Sequence, residues 1–264
     1  MLELSGRCAV VTGGASGIGA GVCAALQREG LRVASLDLQP GGPADVTLAC
    51  DVREPEAVEK SMRQAVEQLG GLDYAFVNAG VAGMGTVLSM PADEWDRVTT
   101  VNLRGAFFTL QQAARHIVAQ GNGGAIVLTS SSAGIVSDVG FVHYSVAKIG
   151  IRHMARVAAR ELGKYGIRVN AVAPGPTRTP MMAGTDALPG FTDTMIGNTA
   201  LGRLGEVEDI SDAVLALFAL RWVTGQTLAC DGGITLAAGT DIPGFDLDTA
   251  GDWFDAKLDD ATET

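Results

Sequence analysis

The sequence is poor in the residues that staple or anchor a chain. Its four cysteines, Cys8, Cys23, Cys50 and Cys230, are scattered over 264 residues without a CxxC pair. That spacing argues against a disulfide framework or a zinc site, so each is expected to be a reduced packing residue. Histidine is scarcer still. His116, His143 and His153 show no ligand spacing to carboxylates or cysteines, so packing or solvent exposure is expected of each, and no metal site. No apolar run approaches the roughly 18–20 residues of a membrane span. The opening "MLELSGRCAV" has neither an apolar leader core nor a cleavage pattern, which points to a cytoplasmic setting. Positive charge is in deficit, with 19 Lys and Arg against 30 Asp and Glu and a net charge of −11. That balance speaks against nucleic acid and anionic membranes as partners. From Ala238 onward eight acids face Lys257 alone, so the rest of the chain is only mildly acidic.

What is present suits a single large α/β domain. Apolar residues make up 47% of the chain, ample for a core. The 35 glycines sit at the ends of apolar runs, where tight βα turns need them. "RCAVVTGG", "LRVASLD", "DVTLACD", "LDYAFVNAG", "GAIVLTSSS", "GIRVNAVAPG" and "GQTLACDGG" read as seven strands. Helical patterns separate most of them: "SGIGAGVCAALQREG" closed by Gly30, "EPEAVEKSMRQAVEQLGG" opened by Pro55, residues 93–119, residues 143–164 and "EVEDISDAVLALFAL". The strands are apolar throughout rather than alternating, as expected when both faces are buried. A doubly wound, seven-stranded parallel α/β sheet of Rossmann type follows. Residues 174–200 are expected to lack regular structure and to serve as a lid or binding loop.

The chemistry-bearing residues fall at strand ends. "VVTGGASGIGAG" places Gly13, Gly17 and Gly19 as GxxxGxG between a strand and a helix. Such glycines let backbone approach a pyrophosphate at a helix N-terminus, although a plain tight turn has the same look. Asp37 ends the second strand, 18 residues after Gly19, where a carboxylate can accept from ribose hydroxyls and repel a 2′-phosphate. Ser16 and Leu38, the neighbours that could welcome that phosphate if basic, are uncharged, so NAD is favoured over NADP. Asp51 can meet an adenine amino group, and Asn78, Ala79 and Gly80 leave room beside the sheet edge. Tyr144 and Lys148 stand one helical turn apart. An amine about 4 Å from a phenol, at an effective dielectric near 20, is worth roughly 4 kcal/mol, or about three pKa units. That spacing predicts a tyrosine acidic enough to exchange protons with an alcohol. Ser131, 13 residues earlier, can hold the substrate oxygen over it.

With these residues in place, the chain resembles the short-chain dehydrogenase/reductase family up to about Ala237. The matching pieces are "TGGASGIG" with Ser16 and Ile18, "DV" at Asp51 and Val52, "VNAG", "VNLRGAFF", "SSSAG", "YSVAK", "VNAVAPGPTRT" and "VTGQTLACDGG". The resemblance implies a catalytic tetrad of Asn102, Ser131, Tyr144 and Lys148. Asn102 would hold a relay water and Lys148 would also bind the nicotinamide ribose. The segment from Pro174 and Gly175 through Thr177 and Thr179 would meet the nicotinamide carboxamide. It further implies a homotetramer through residues 93–119 and 143–164. Three departures stand out: Val77 where a second asparagine is usual, a short "ALRWVTG" link that bears on the rim of the subunit contact, and the acidic tail.

Residues 1–237 are therefore expected to form one domain with 238–264 as an acidic extension. The tail is either a solvated surface or, through Phe245, Trp253 and Phe254, a cover for an active-site mouth. Met181, Met182, Met195, Phe141 and Met84 either wall a substrate pocket or anchor their loop. The expected function is NAD(H)-dependent interconversion of a secondary alcohol and a ketone. The alternatives are an acyl-carrier-protein ketoreductase, which Asp37 and the acidic chain disfavour, and a non-catalytic NAD-binding sensor, which Ser131, Tyr144 and Lys148 disfavour.

Overall fold

The computed structural model describes residues 4–183 and 189–236. The acidic extension and its aromatics, Phe245, Trp253 and Phe254, lie outside the described residues. Strands β1 (Cys8–Thr12), β2 (Arg32–Asp37), β3 (Val46–Ala49), β4 (Tyr74–Val77), β5 (Gly124–Thr129), β6 (Ile167–Pro174) and β7 (Thr227–Cys230) form one parallel sheet. Their spatial order is β3-β2-β1-β4-β5-β6-β7. The chain leaves β1 toward one edge and resumes at β4 toward the other. That reversal opens a crevice at the carboxyl ends of β1 and β4.

Central strands bury both faces, as their apolar runs require. In β1, Cys8 and Val10 join the core under α2 (Pro55–Leu69), α4 (Gly105–Gln120) and α5 (Val142–Leu162). Ala9 and Val11 join the opposite core under α1 (Gly17–Arg28) and α8 (Val207–Ala219). The edge strands differ from the expected uniform burial. Residues of β3 alternate between half-buried and exposed, because only one neighbour and one helix layer cover an edge. Cys8, Cys23 and Cys50 are buried and all four cysteines are free. Burial pushes the Cys23 thiol up to about 12. No helix among the described residues is long and apolar enough to cross a membrane.

Two expectations are corrected. The helix expected unbroken over 93–119 is interrupted: α3 (Ala92–Thr99) passes into a π-helical segment, Thr100–Arg104, before α4. Such bulges carry one extra residue per turn and re-aim side chains. Here Asn102 turns inward, and Gly105 backs onto Val52 so closely that a Cβ would sit 2.9 Å from its side chain. Residues 174–200 are not free of regular structure either. They carry α6 (Pro180–Ala183) and α7 (Phe191–Gly197), too short for a period to show in sequence.

Candidate active site

A cleft of about 1000 Å³ runs along the carboxyl ends of the strands. At its floor Asn78 ties three strands together. Its backbone N–H donates to Thr12 Oγ1 at 3.0 Å, its amide nitrogen to Thr12 O at 3.2 Å, and its Oδ1 accepts from Thr129 Oγ1 at 3.2 Å. Gly13, Ser16, Gly17, Ile18, Ala79 and Gly80 line the same cleft. Gly13 has φ +67° and stands against Ala79, where a Cβ would come within 2.9 Å of Ala79 Cα. Helix α1 starts at Gly17 with no acid in its first turn and no side-chain cap on Ser16. Its first N–H groups and dipole therefore face the cleft uncompensated by any carboxylate, which suits a pyrophosphate.

Gly19 is the one expected cofactor residue that does not line the cleft. A Cβ there would fall 1.9 Å from Gly13 O, so it lets the helix pack against the turn. Asp37 Oδ2 accepts from Ala15 N at 3.1 Å and Oδ1 from Gln39 N at 3.1 Å, so the carboxylate braces the glycine turn while facing the cleft. Asp51 and Val52 also line it. Asp51, however, is not a free acceptor. The Arg53 guanidinium grips it through Nε at 2.9 Å and Nη2 at 2.6 Å and holds its carboxyl below the usual range. Arg53 went unnoticed in the sequence, although a cation two residues from an acid in a turn is a readable signal.

Ser131 opens a 3₁₀ turn, Ser132–Gly134, and its Oγ accepts from Ala133 N at 3.2 Å. Tyr144, in the first turn of α5, faces the same cleft as Ser131, whose side chain acts on its phenol. Lys148 is 3% exposed; its Nζ donates to Thr129 O at 2.9 Å and lies 5.4 Å from the Tyr144 ring centre. The expected acidification of Tyr144 by Lys148 is not what this geometry produces. Burial raises the Tyr144 phenol, and the nearby Ser131 side chain pulls it back only in part. The same burial lowers Lys148 to about 8, so the ammonium is itself weakened. Spacing alone shows that the two groups are neighbours; it does not show that Lys148 is buried and Tyr144 half-buried.

Asn102 lies in the π segment and is fully buried. Its Oδ1 accepts from Val81 N at 3.0 Å and its Nδ2 donates to Val81 O at 2.8 Å. The side chain thus clamps the chain after β4 while lining the cleft, and it presses on Gly80, where a Cβ would meet Oδ1 at 2.5 Å. Pro174, Gly175, Thr177 and Thr179 line the cleft opposite. Thr177 Oγ1 donates to Gly175 O at 2.9 Å, which fixes the turn out of β6.

The far half of the cleft is walled by Val136, Phe141, Met181, Met182, Phe191 and Met195. Phe141 stacks edge-on to Tyr144 at 6.3 Å. Met84 is not part of this wall; it lies 53% exposed beside Gly140. His143 is also more than packing. It is fully buried, and its Nε2 stands 3.4 Å from Glu94 Oε1. Arg97 pairs with the same carboxylate at 2.6 Å and, with His143 behind it, holds Glu94 down at about 2.

A family profile described as enoyl-(acyl carrier protein) reductase matches residues 13–235. A short-chain dehydrogenase/reductase of Armillaria gallica is 37% identical over 250 residues, 87% of this chain and 96% of the relative. The (3R)-3-hydroxyacyl-CoA dehydrogenase of Canis lupus familiaris is 37% identical over 257 residues, 88% of this chain and 98% of the relative. Among solved structures, a short-chain type dehydrogenase/reductase from Mycobacterium marinum superposes with a TM-score of 0.83 at 33% identity, covering 88% of this chain and 97% of that one.

Proposed function

We propose that this chain, which belongs to the short-chain dehydrogenase/reductase family, is an NAD(H)-dependent oxidoreductase that interconverts a secondary alcohol and its ketone. One observation carries the proposal: the Ser131–Tyr144 pair and the buried Lys148 open into the same cleft as the glycine turn and Asp37. Gly13, Ser16, Gly17 and Ile18 would hold the pyrophosphate, and Asp37 the adenosine ribose. Tyr144 and Lys148 would hold the nicotinamide ribose, and Thr177 and Thr179 the carboxamide. The bound nicotinamide supplies the hydride acceptor or donor.

Ser131 holds the substrate oxygen beside Tyr144. In the oxidative direction Tyr144 takes the hydroxyl proton as the carbinol C–H bond gives up its hydride, and the C–O bond becomes a carbonyl. In reduction Tyr144 returns that proton to the oxygen. Lys148, fixed on Thr129 O, offers positive charge where phenolate develops. Asn102 acts through Val81, holding the β4 exit and Gly80 in place. We also take residues 1–237 as one domain with the acidic extension 238–264, working in the cytoplasm. We take the assembly as a homotetramer through α4 and α5, whose Phe107, Ile149 and Val157 are exposed.

The test is a panel of secondary alcohols and ketones followed at 340 nm with NAD(H) and NADP(H) side by side. Turnover with NAD(H) is expected; tight NAD binding with no turnover of any member would mean a sensor instead. Asp37→Ala removes a charge-assisted acceptor worth about 1.5–3 kcal/mol. Its KM for NAD is expected to rise roughly ten- to a hundredfold while NADP use improves. An unchanged cofactor preference would remove Asp37 from the cofactor site.

The pH dependence follows from burial. Reduction needs Tyr144 protonated, and its raised phenol stays so across neutral pH. Oxidation needs the phenolate, whose small fraction grows about tenfold per pH unit below its pKa. Lys148 keeps its charge below about 8 and loses it above. Oxidative kcat/KM should therefore climb with pH from 6 toward 8 and bend near 8, while reductive kcat/KM stays level and then falls. Profiles in both directions at saturating cofactor check this, and an oxidation rate flat from 6 to 8 would contradict it.

A further inference from the structure

Six charged residues line the cleft among those described: Asp37, Asp51, Arg53, Arg97, Asp138 and Lys148. Five are already committed. Asp37 and the Asp51–Arg53 pair stand at the ends of β2 and β3, the adenosine end. Lys148 is fastened to Thr129 O. Arg97 gives two donors to Glu94 and one, at 2.7 Å, to Ala82 O, so its charge is matched by that carboxylate.

Asp138 alone has no partner for its carboxylate among the described residues. It sits at the mouth of the substrate half, three residues before Phe141, whose N–H bonds back to Asp138 O at 3.4 Å. Phe141 in turn lies edge-on to Tyr144. The segment is held in place from the other side, since Gly85 N donates to Gly140 O at 2.9 Å. Around it the cleft is lined by the apolar Val136, Phe141, Met181, Met182, Phe191 and Met195 and by the uncharged Ser137 and Asn198. Partial withdrawal from water at this wall raises the Asp138 carboxyl above the ordinary aspartate value, with no cation nearby to offset it.

We infer that Asp138 is a specificity-determining residue: it favours alcohols and ketones whose far end is cationic or a neutral hydrogen-bond donor, and it turns away carboxylates and phosphate-bearing acyl carriers. The inference rests on the oxidoreductase function proposed above and names the substrate class of that site. Among the described residues no cation acts on Asp138, so the far end of an anionic substrate would face a like charge there; discrimination of this kind works by repulsion as much as by attraction. An ammonium at the mouth would meet a carboxylate that no cation neutralises among the described residues.

The test compares the unmodified enzyme with Asp138→Asn on three secondary alcohols of one carbon frame: neutral, amine-bearing and carboxylate-bearing. Asparagine keeps the shape and removes the charge, and the position is exposed enough for the fold to tolerate it. An exposed charge contact is worth up to about 1 kcal/mol, roughly fivefold in kcat/KM. The neutral alcohol, chosen with an alkyl far end that donates no hydrogen bond, should be turned over equally by both proteins. The amine should lose about fivefold and the carboxylate gain about fivefold, so their ratio shifts by roughly twenty-fivefold. Turnover with an unchanged amine-to-carboxylate ratio overturns this inference and leaves the oxidoreductase function standing. Absence of turnover by either protein with every member and both cofactors overturns the function, and the inference with it.

Discussion

Tyr144→Phe protein is expected to oxidise a secondary alcohol about a thousandfold more slowly than the unmodified enzyme, within the 10²–10⁴ range for loss of a positioned acid or base. The change deletes only the phenolic oxygen. The ring keeps its edge contact with Phe141 and its place beside Lys148. Lys148 remains bonded to Thr129 O, and Ser131 still accepts from Ala133 N. Cofactor affinity should therefore change far less than rate, and the melting temperature should hold. Kinetics at saturating cofactor, with a fluorescence titration of NADH on the same protein, separate the two. If the phenylalanine enzyme matches the unmodified rate, Tyr144 carries no proton.

Gly19→Ala should act at the opposite end of the cleft and through packing alone. Its added methyl would lie 1.9 Å from Gly13 O and 2.8 Å from Asn78 Nδ2, distances no real contact allows. Either α1 retreats or the Gly13 peptide turns, and both dismantle the surface that receives the pyrophosphate. Overpacking of this kind costs about 1–3 kcal/mol of stability. For a domain of this size that is a fall in Tm of about 5 °C. NAD affinity should fall at least roughly a hundredfold, because the N–H groups at the helix start are what the site offers. Calorimetric titration and a thermal melt read both effects. An alanine protein that binds NAD normally would show that the turn tolerates the methyl, contrary to the packing described.

Much of the fold could be read because central strands bury both faces. Runs such as "CAVVT" and "GAIVLT" leave little choice but a covered parallel sheet. Once the strands are placed, their carboxyl ends locate Asp37, Asn78 and Ser131 together. Tyr144 and Lys148 were legible as a pair because helix geometry makes four-residue spacing a contact. The remaining features are tertiary. Glu94 reaches His143 across 49 residues, and no local pattern records that meeting. The π segment adds one residue to a turn without disturbing the apolar pattern enough to show. Seven residues of α7 cannot establish a period. The direction of the Tyr144 shift depended on how far its surroundings withdraw it from water, which composition does not encode.

The three-strand tie made by Asn78 separates the molecule into parts with different freedom to diverge. The floor that receives a cofactor is cross-braced by β1, β4 and β5 and tolerates little change. The wall proposed to receive substrate is drawn from the 132–141 segment and from α6 and α7. A lineage built this way can exchange its guest list by rewriting two short stretches while its engine stays untouched.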